Sequence, residues 1–247
     1  MYQKVALVTG GSNGIGASVC KELGKSGYFV YINYRNDSGL ASQVLNEIVS
    51  CGGDGQLIKF DVRDVNQIRC AIEDFKHEKL DLLVNNAGVS KDGLLYQIEE
   101  QDFNDIINVN FWGAVNTFDS FKNKLINDDN SVVISIGSIS GILPKKGQGA
   151  YAISKAMLIE WSEKQAQAGT NKDINFYTIS PGPVATNMIK STQFYNNPDV
   201  FKRIPLGRFA QPEEVAQIVL LLADNNSLIK NGANIVLDGG MTQAFNG

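Results

Sequence analysis

Short apolar runs alternate with longer amphipathic segments from one end of this chain to the other, and few folds accept that alternation. Lys4 to Thr9 reads as a buried strand and Gly14 to about Ser26 as a helix. A strand over Tyr28 to Tyr34, a helix over Gly39 to about Ser50 and a strand over Gln56 to Phe60 complete a βαβαβ half. Leu80 to Val84, Val132 to Ile136 and Ile174 to Ile179 are near-continuous apolar strands, and Pro212 to Ala223 is a helix opened by a proline, where a missing N–H is tolerated. Ala233 to Leu237 supplies the last of seven strands. A strand that is apolar along its whole length has both faces covered, which points to a parallel sheet between two helical layers. The fold class is therefore α/β, a doubly wound parallel sheet of about seven strands with helices on both faces. No Pro/Ser-rich stretch or charge run divides the 247 residues, so 1–247 is expected to be a single domain.

Charge and composition remove several function classes. Lys and Arg number 22 against 26 Asp and Glu, a net charge of −4 with neither sign gathered into a block, which speaks against a nucleic-acid or membrane-surface binder. Ile218 to Ala223, the longest apolar run toward the C-terminus, is far short of the roughly 18 residues that a spanning helix needs. The chain starts almost directly in a strand, without the pattern of a secretory leader, so a cytoplasmic protein is expected. Cys20, Cys51 and Cys70 are odd in number and widely spaced, and are expected to be buried thiols in a reducing compartment. The one histidine, His77, lies in a charged stretch and is read as solvated. A Ser-His-Asp triad and a His-rich zinc site are both disfavoured, and no metal is expected. Proton transfer then falls to Tyr, Lys, Asp, Glu or Cys.

Sheets of this kind bind ligands at the carboxyl ends of their strands. Thr9-Gly10-Gly11-Ser12-Asn13-Gly14-Ile15-Gly16 lies at the first such end, where missing Cβ atoms let backbone N–H groups approach a pyrophosphate at a helix N-terminus. The spacing of Gly10, Gly14 and Gly16 is not GxGxxG, so the alternative is a tight turn alone. At the end of the second strand, where an adenosine ribose would rest, there is no carboxylate until Asp37 but there is a guanidinium at Arg35, which favours NADP(H) over NAD(H) unless Arg35 is only a solvated loop residue. Asp61, just before Val62, either accepts from the adenine amino group or caps a helix. Tyr151 and Lys155 stand four residues apart, on one face of a helix. A phenol with a pKa near 10 needs a cation nearby to carry protons at neutral pH, and Lys155 offers one.

These motifs resemble, in order and spacing, the short-chain dehydrogenase/reductase family. The likeness rests on the glycine turn Thr9 to Gly16, Asn85-Asn86-Ala87-Gly88, Asn110, Ser138 thirteen residues before Tyr151, Lys155, and Pro181-Gly182, with Leu237 to Met241 at the end, and it spans the whole chain. The resemblance implies a Rossmann-type fold that binds its dinucleotide through Gly10, Ser12, Asn13, Gly14, Ile15, Gly16, Arg35, Asp61, Val62, Asn86, Ala87, Gly88, Tyr151, Lys155, Pro181, Gly182, Val184 and Thr186. It implies that Tyr151 gives a proton to a carbonyl oxygen held by Ser138. Lys155 would depress the tyrosine pKa and bind the nicotinamide ribose, Asn110 would position a relay water, and Thr186 would hold the carboxamide. Asn85 to Gly88 would either admit the cofactor's adenosine side or tie the central sheet together.

Within the family the loops Val89 to Leu95 and Gly147-Gln148 resemble those of the β-ketoacyl-acyl-carrier-protein reductases, which implies NADPH-dependent reduction of a 3-oxoacyl thioester, with Ser138, Gln148 and Tyr151 at the substrate. Acyl carrier protein is the implied partner and a homotetramer the implied assembly. Lys172 matches a docking cation of those reductases, whereas Asn127-Asp128-Asp129-Asn130 is acidic where they are commonly basic, and Lys145 and Lys146 are the compensating candidates. Asn13 also departs from the basic residue of NADP-preferring relatives, which leaves the cofactor preference on Arg35. Val184 to Ala210, with Phe194, Tyr195, Phe201 and Phe209, is expected to cover the substrate or to pack on another subunit. Other readings are reduction of a polyketide, polyene, sugar, polyol or other secondary alcohol or ketone by the same residues, and a nucleotide-binding regulatory protein without turnover.

Overall fold

The first half of the chain alternates strand and helix as its pattern demands: β1 (Val5–Val8), α1 (Gly14–Lys25), β2 (Phe29–Tyr34), α2 (Ser38–Ser50), β3 (Asp54–Lys59), α3 (Val65–Glu73) and β4 (Leu82–Asn85). There follow α4 (Glu100–Ile107), a π-helical turn over Asn108–Trp112, α5 (Gly113–Leu125), β5 (Ser131–Ile136), α6 (Gly149–Gln167), β6 (Ile174–Pro181), the short α7 (Asn187–Lys190), α8 (Pro212–Asp224) and β7 (Asn234–Leu237). The computed structural model describes residues 3–91, 93–125, 131–168, 174–190, 195, 198–224 and 228–243. Lys172, Phe194 and the stretch 127–130 therefore lie outside the described residues.

All seven strands join one parallel sheet in the order β3-β2-β1-β4-β5-β6-β7. The chain leaves β1 outward through β2 and β3, then returns to the other side of β1 with β4. The resulting crevice at the carboxyl ends of β1 and β4 is where a doubly wound sheet takes its ligands.

Alternate residues of each strand enter different layers, which explains why the strands are apolar at nearly every position. Ala6, Val8, Ile32, Val84 and Ile134 pack with Val19 and Leu23 of α1, Val44 and Ile48 of α2 and Val219 and Leu222 of α8. Val5, Leu7, Tyr31, Leu83 and Val133 face Ile68 of α3, Phe118 and Phe121 of α5 and the aromatic pair Trp161 and Phe176. A third, smaller cluster packs Val200, Ile204 and Phe209, with Met241 and Ala185, against Ile139 in the loop that follows β5. Strand β6 extends two residues past its expected end, because β7 pairs with it from Thr178↔Asn234 to Pro181↔Leu237, a partner that periodicity cannot reveal.

Two expectations need correction. Only Cys20 is buried; Cys51 and Cys70 are exposed, since each falls on the outward side where its helix ends or turns to solvent. His77 is not a solvated side chain but is half-buried among Phe29, Tyr31 and Phe75, and its Nδ1 lies 2.8 Å from the Tyr31 hydroxyl. Lys76 and Glu78 beside it stay exposed, while the imidazole packs on the rings of Phe29, Tyr31 and Phe75. No helix among the described residues is long and apolar enough to cross a membrane.

Candidate active site

At the carboxyl end of β1 the backbone of the glycine turn is pinned from two sides. The Asn33 side chain, buried in β2, accepts from Gly10 N–H (3.1 Å) and donates to the carbonyls of Ile58 (3.3 Å) and Phe60 (3.1 Å). Asn86 donates from Nδ2 to the carbonyls of Thr9 (2.9 Å) and Gly10 (3.1 Å), and Thr9 Oγ1 accepts from the backbone N–H groups of Asn86 and Ala87. A Cβ at Gly16 would lie 2.3 Å from the Gly10 carbonyl oxygen and 2.5 Å from Asn86 Nδ2, so only glycine lets α1 start this close to the turn. Asn13 precedes α1 without capping it, whereas Asp37 and Asp64 cap α2 and α3 through their side chains. The first-turn amides of α1 are thus left for a ligand, and with the helix dipole they suit a diphosphate. This cradle fits the dinucleotide expected from the sequence. Ser12, Gly14 and Ile15 line the same turn, and Thr186 sits over it, its methyl 3.4 Å from a Cβ built at Gly14.

The other residues expected at the cofactor follow the ends of their strands. Asp61 lies beyond β3, and α3 is capped by Asp64, which accepts from the N–H groups of Asn66 and Gln67; the capping alternative for Asp61 is therefore set aside. Val62 is buried against Gly113 of α5. Pro181 ends β6, and Gly182 passes so close to Asp238 that a Cβ would fall 2.9 Å from its Cα. Val184 is buried and bridges to Ala210. Asn85 does not tie the sheet: neither side-chain atom has a partner, nor does the hydroxyl of Ser135, its register neighbour on β5. The tying belongs to Asn86.

Beside the crevice, Ser138, Tyr151 and Lys155 come together from two elements. Ser138 follows β5, accepts from Ser140 N–H (3.1 Å) as the cap of a short 3-10 turn, and places its hydroxyl where it lowers the pKa of the Tyr151 phenol. Lys155, one turn further along α6, is 4% exposed; its Nζ donates to the Ile136 carbonyl (2.8 Å) and lies 5.8 Å from the centre of the Tyr151 ring. Burial lowers the Lys155 pKa to about 8. Burial pushes the Tyr151 phenol up from its ordinary value, and Ser138 only partly offsets this. The expected depression by Lys155 is thus not the net effect in this state, because the ammonium is aimed at a strand carbonyl rather than at the phenol oxygen.

Asn110 occupies the π-helical turn, with Oδ1 accepting from Val89 N–H (2.8 Å) and Nδ2 donating to the Val89 carbonyl (2.9 Å) and to Ser154 Oγ (3.0 Å). Ser154 in turn donates to the Tyr151 carbonyl (2.7 Å). The Asn110 amide is thus a clamp between the loop after β4 and α6, and both of its N–H groups are taken. Gln148 accepts from Ser140 Oγ (3.1 Å), and its backbone bridges to Gly93. Asn33, Arg63 and Ser154 were missed by sequence reasoning. Asn33 had a signal, a lone amide inside the apolar run Tyr31 to Tyr34, whereas Arg63 and Ser154 acquire their partners only through folding.

Comparison with known proteins places the chain in a family. The family model described as short chain dehydrogenase matches residues 4–195. The 3-oxoacyl-(acyl-carrier-protein) reductase FabG of Staphylococcus aureus is 31% identical over 240 residues, covering 96% of this chain and 98% of that protein. Its namesake from Thermotoga maritima is 33% identical, with 96% and 97% covered. A crystal structure of a dehydrogenase/reductase from Sinorhizobium meliloti superposes with a TM-score of 0.90 at 31% identity, covering 98% of this chain and 96% of the other. A mutant of a Serratia marcescens short-chain dehydrogenase/reductase gives 0.89 at 29%, covering 97% and 98%.

Proposed function

This chain belongs to the short-chain dehydrogenase family, and from that premise we propose that it reduces a 3-oxoacyl thioester, carried by acyl carrier protein, to the 3-hydroxyacyl product at the expense of NADPH. The carrying observation is that the Ser138 turn and α6 bring Ser138, Tyr151 and the buried Lys155 together, beside a glycine cradle whose first helix is not capped by a side chain. Residues Gly10 to Gly16, Asn86 to Gly88, Val62 and Pro181 to Thr186 would hold the dinucleotide, with Arg35 at the 2′-phosphate. The bound cofactor supplies the hydride that the carbonyl carbon accepts.

The chain's own groups handle the oxygen. Ser138 Oγ holds the carbonyl oxygen in line with Tyr151, whose phenol, neutral in its buried setting, gives up its proton as negative charge grows there. Lys155 gains value at that moment, since a phenolate forming near a buried ammonium is stabilised in a medium of low dielectric. A pKa near 8 leaves Lys155 mostly charged at neutral pH and still able to pass a proton. Asn110 keeps its place in this scheme through its clamp on α6; with both side-chain N–H groups engaged, a relay water would be served by other atoms of the π-helical turn.

The thioester is favoured by the approach to Ser138 and Tyr151. Leu95 packs on Gly149, and Ile142 and Leu143 follow the Ser138 turn, all three unusually exposed for their type, which suits an acyl chain better than a sugar. The relatives named above support the same substrate class.

NADPH oxidation with acetoacetyl thioester, measured beside Tyr151→Phe, tests the proposal. Turnover should fall by about 10²- to 10⁴-fold in the variant, the range of general acid catalysis. An unaffected Tyr151→Phe enzyme sinks the assignment of the proton donor. Turnover of free ketones and secondary alcohols but not of thioesters would replace the substrate class and leave the residue roles standing.

A further inference from the structure

Around the end of β3 two guanidinium groups compete for one carboxylate. Arg63 grips Asp61 through Nε, 3.1 Å from both oxygens, and through Nη2, 2.7 Å from Oδ2, while its backbone N–H donates to Oδ1 (3.0 Å). Arg35 Nη1 approaches Oδ2 of the same carboxylate only to 4.0 Å, and its side chain is 50% exposed against 14% for Asp61. The remaining arm of Arg63, Nη1, reaches Asp105 Oδ1 at 3.4 Å. Burial pulls the Asp61 pKa upward, but hydrogen bonds and charge from Arg63, helped by Arg35, more than reverse it, so the carboxylate stays ionised. Both arginines open onto a cavity of about 210 Å³ walled on its apolar side by Val89, Ile106 and Val109.

An ionised carboxylate next to Arg35 works against a 2′-phosphate twice, by drawing the guanidinium to itself and by repelling the dianion. Arg63 removes both effects, since a bidentate guanidinium saturates the carboxylate in the geometry that Arg and Asp share. We propose that Arg63 is a specificity-determining residue for the cofactor's adenosine end: by masking Asp61 it leaves Arg35 free to take the 2′-phosphate. This inference rests on the NADPH reading above and names what makes that preference possible when Asp61 stands so near. The glycine turn adds no cation, with Asn13 in it, and Lys91, which lines the same cavity, is paired with Asp102, so the balance among Arg35, Arg63 and Asp61 carries the discrimination.

Calorimetric titration of the purified full-length protein with adenosine 2′,5′-bisphosphate and with adenosine 5′-monophosphate reads this balance without turnover. The wild-type protein should bind the bisphosphate more tightly. Arg63→Gln should cut that preference by about tenfold, the scale of one unmasked charge at a partly screened surface, while affinity for the monophosphate, which reports a folded site, holds. Arg63→Lys, which keeps the charge but not the fork, should fall between. Asp61→Asn added to Arg63→Gln should restore the preference. An unchanged ratio in Arg63→Gln overturns the inference, and so does a double variant as poor as the single one, since Arg63 would then grip the phosphate itself. A wild-type protein with no preference for the bisphosphate takes down the NADPH reading together with it.

Discussion

His77 illustrates how folding shifts the titration of one side chain. The Tyr31 hydroxyl accepts from Lys76 N–H (3.0 Å) and lies 2.8 Å from His77 Nδ1. The ring also leans on Phe29, centroid to centroid 4.4 Å. Burial, with the charges of Lys124 and Lys76, lowers the imidazole pKa against the opposite pull of Asp54 and Asp81. A base with a depressed folded pKa contributes stability above its unfolded value near 6.5, and that contribution is lost as pH falls below it. Denaturant midpoints measured from pH 8 to pH 5 should therefore drop more steeply for the wild-type protein than for His77→Gln. Parallel profiles would assign the acid sensitivity to other groups.

Between residues and the whole, the π-helical turn is the element that organises the site. It carries Asn110, buried to 1% exposure, into contact with both backbone groups of Val89 and with Ser154, and so couples the α4–α5 helical run, the loop after β4 and the Tyr151 turn of α6. Asn110→Ala strips partners from Val89 N–H and C=O at once. It should cost roughly 2 kcal/mol or more of unfolding free energy, given about 1–3 kcal/mol for each group left unsatisfied. kcat should fall with it while KM changes little, because the clamp positions Tyr151 and touches neither substrate nor the cradle. Urea unfolding and steady-state kinetics on the same preparation check both; an intact kcat at reduced stability would leave Asn110 a purely structural residue. The glycine turn is the other organising element, and its demand is steric: at Gly16 the space for a side chain is already filled by Gly10 and Asn86.

At the scale of the molecule the sheet order sets which loops meet, and the surface charge sets what they meet. The carrier reading needs a cation at the mouth of the site on a protein of net charge −4. Lys146 is exposed, whereas Lys145 is half-buried, within 3.9 Å of Met241 Sδ, its pKa lowered by burial and by Arg203. Lys146→Glu should therefore raise KM for a carrier-bound substrate and spare a small thioester analogue; equal effects on both would remove this lysine from docking. The alternation of strands and helices, the seven-strand count and the segments bearing Ser138, Tyr151 and Lys155 could all be read from the chain alone, since local periodicity and spacing report which face of each element is apolar or polar. That same reading misplaced Cys51, Cys70 and His77, because the layer an isolated side chain joins depends on elements distant in the sequence. Only the tertiary structure decided that Asn86 rather than Asn85 ties the sheet, that Asp64 rather than Asp61 caps α3, and that Arg63 takes the carboxylate beside Arg35. Hydrogen bonds and ion pairs are short-ranged and directional, so their partners are chosen by packing, whereas apolar periodicity is written locally in the chain.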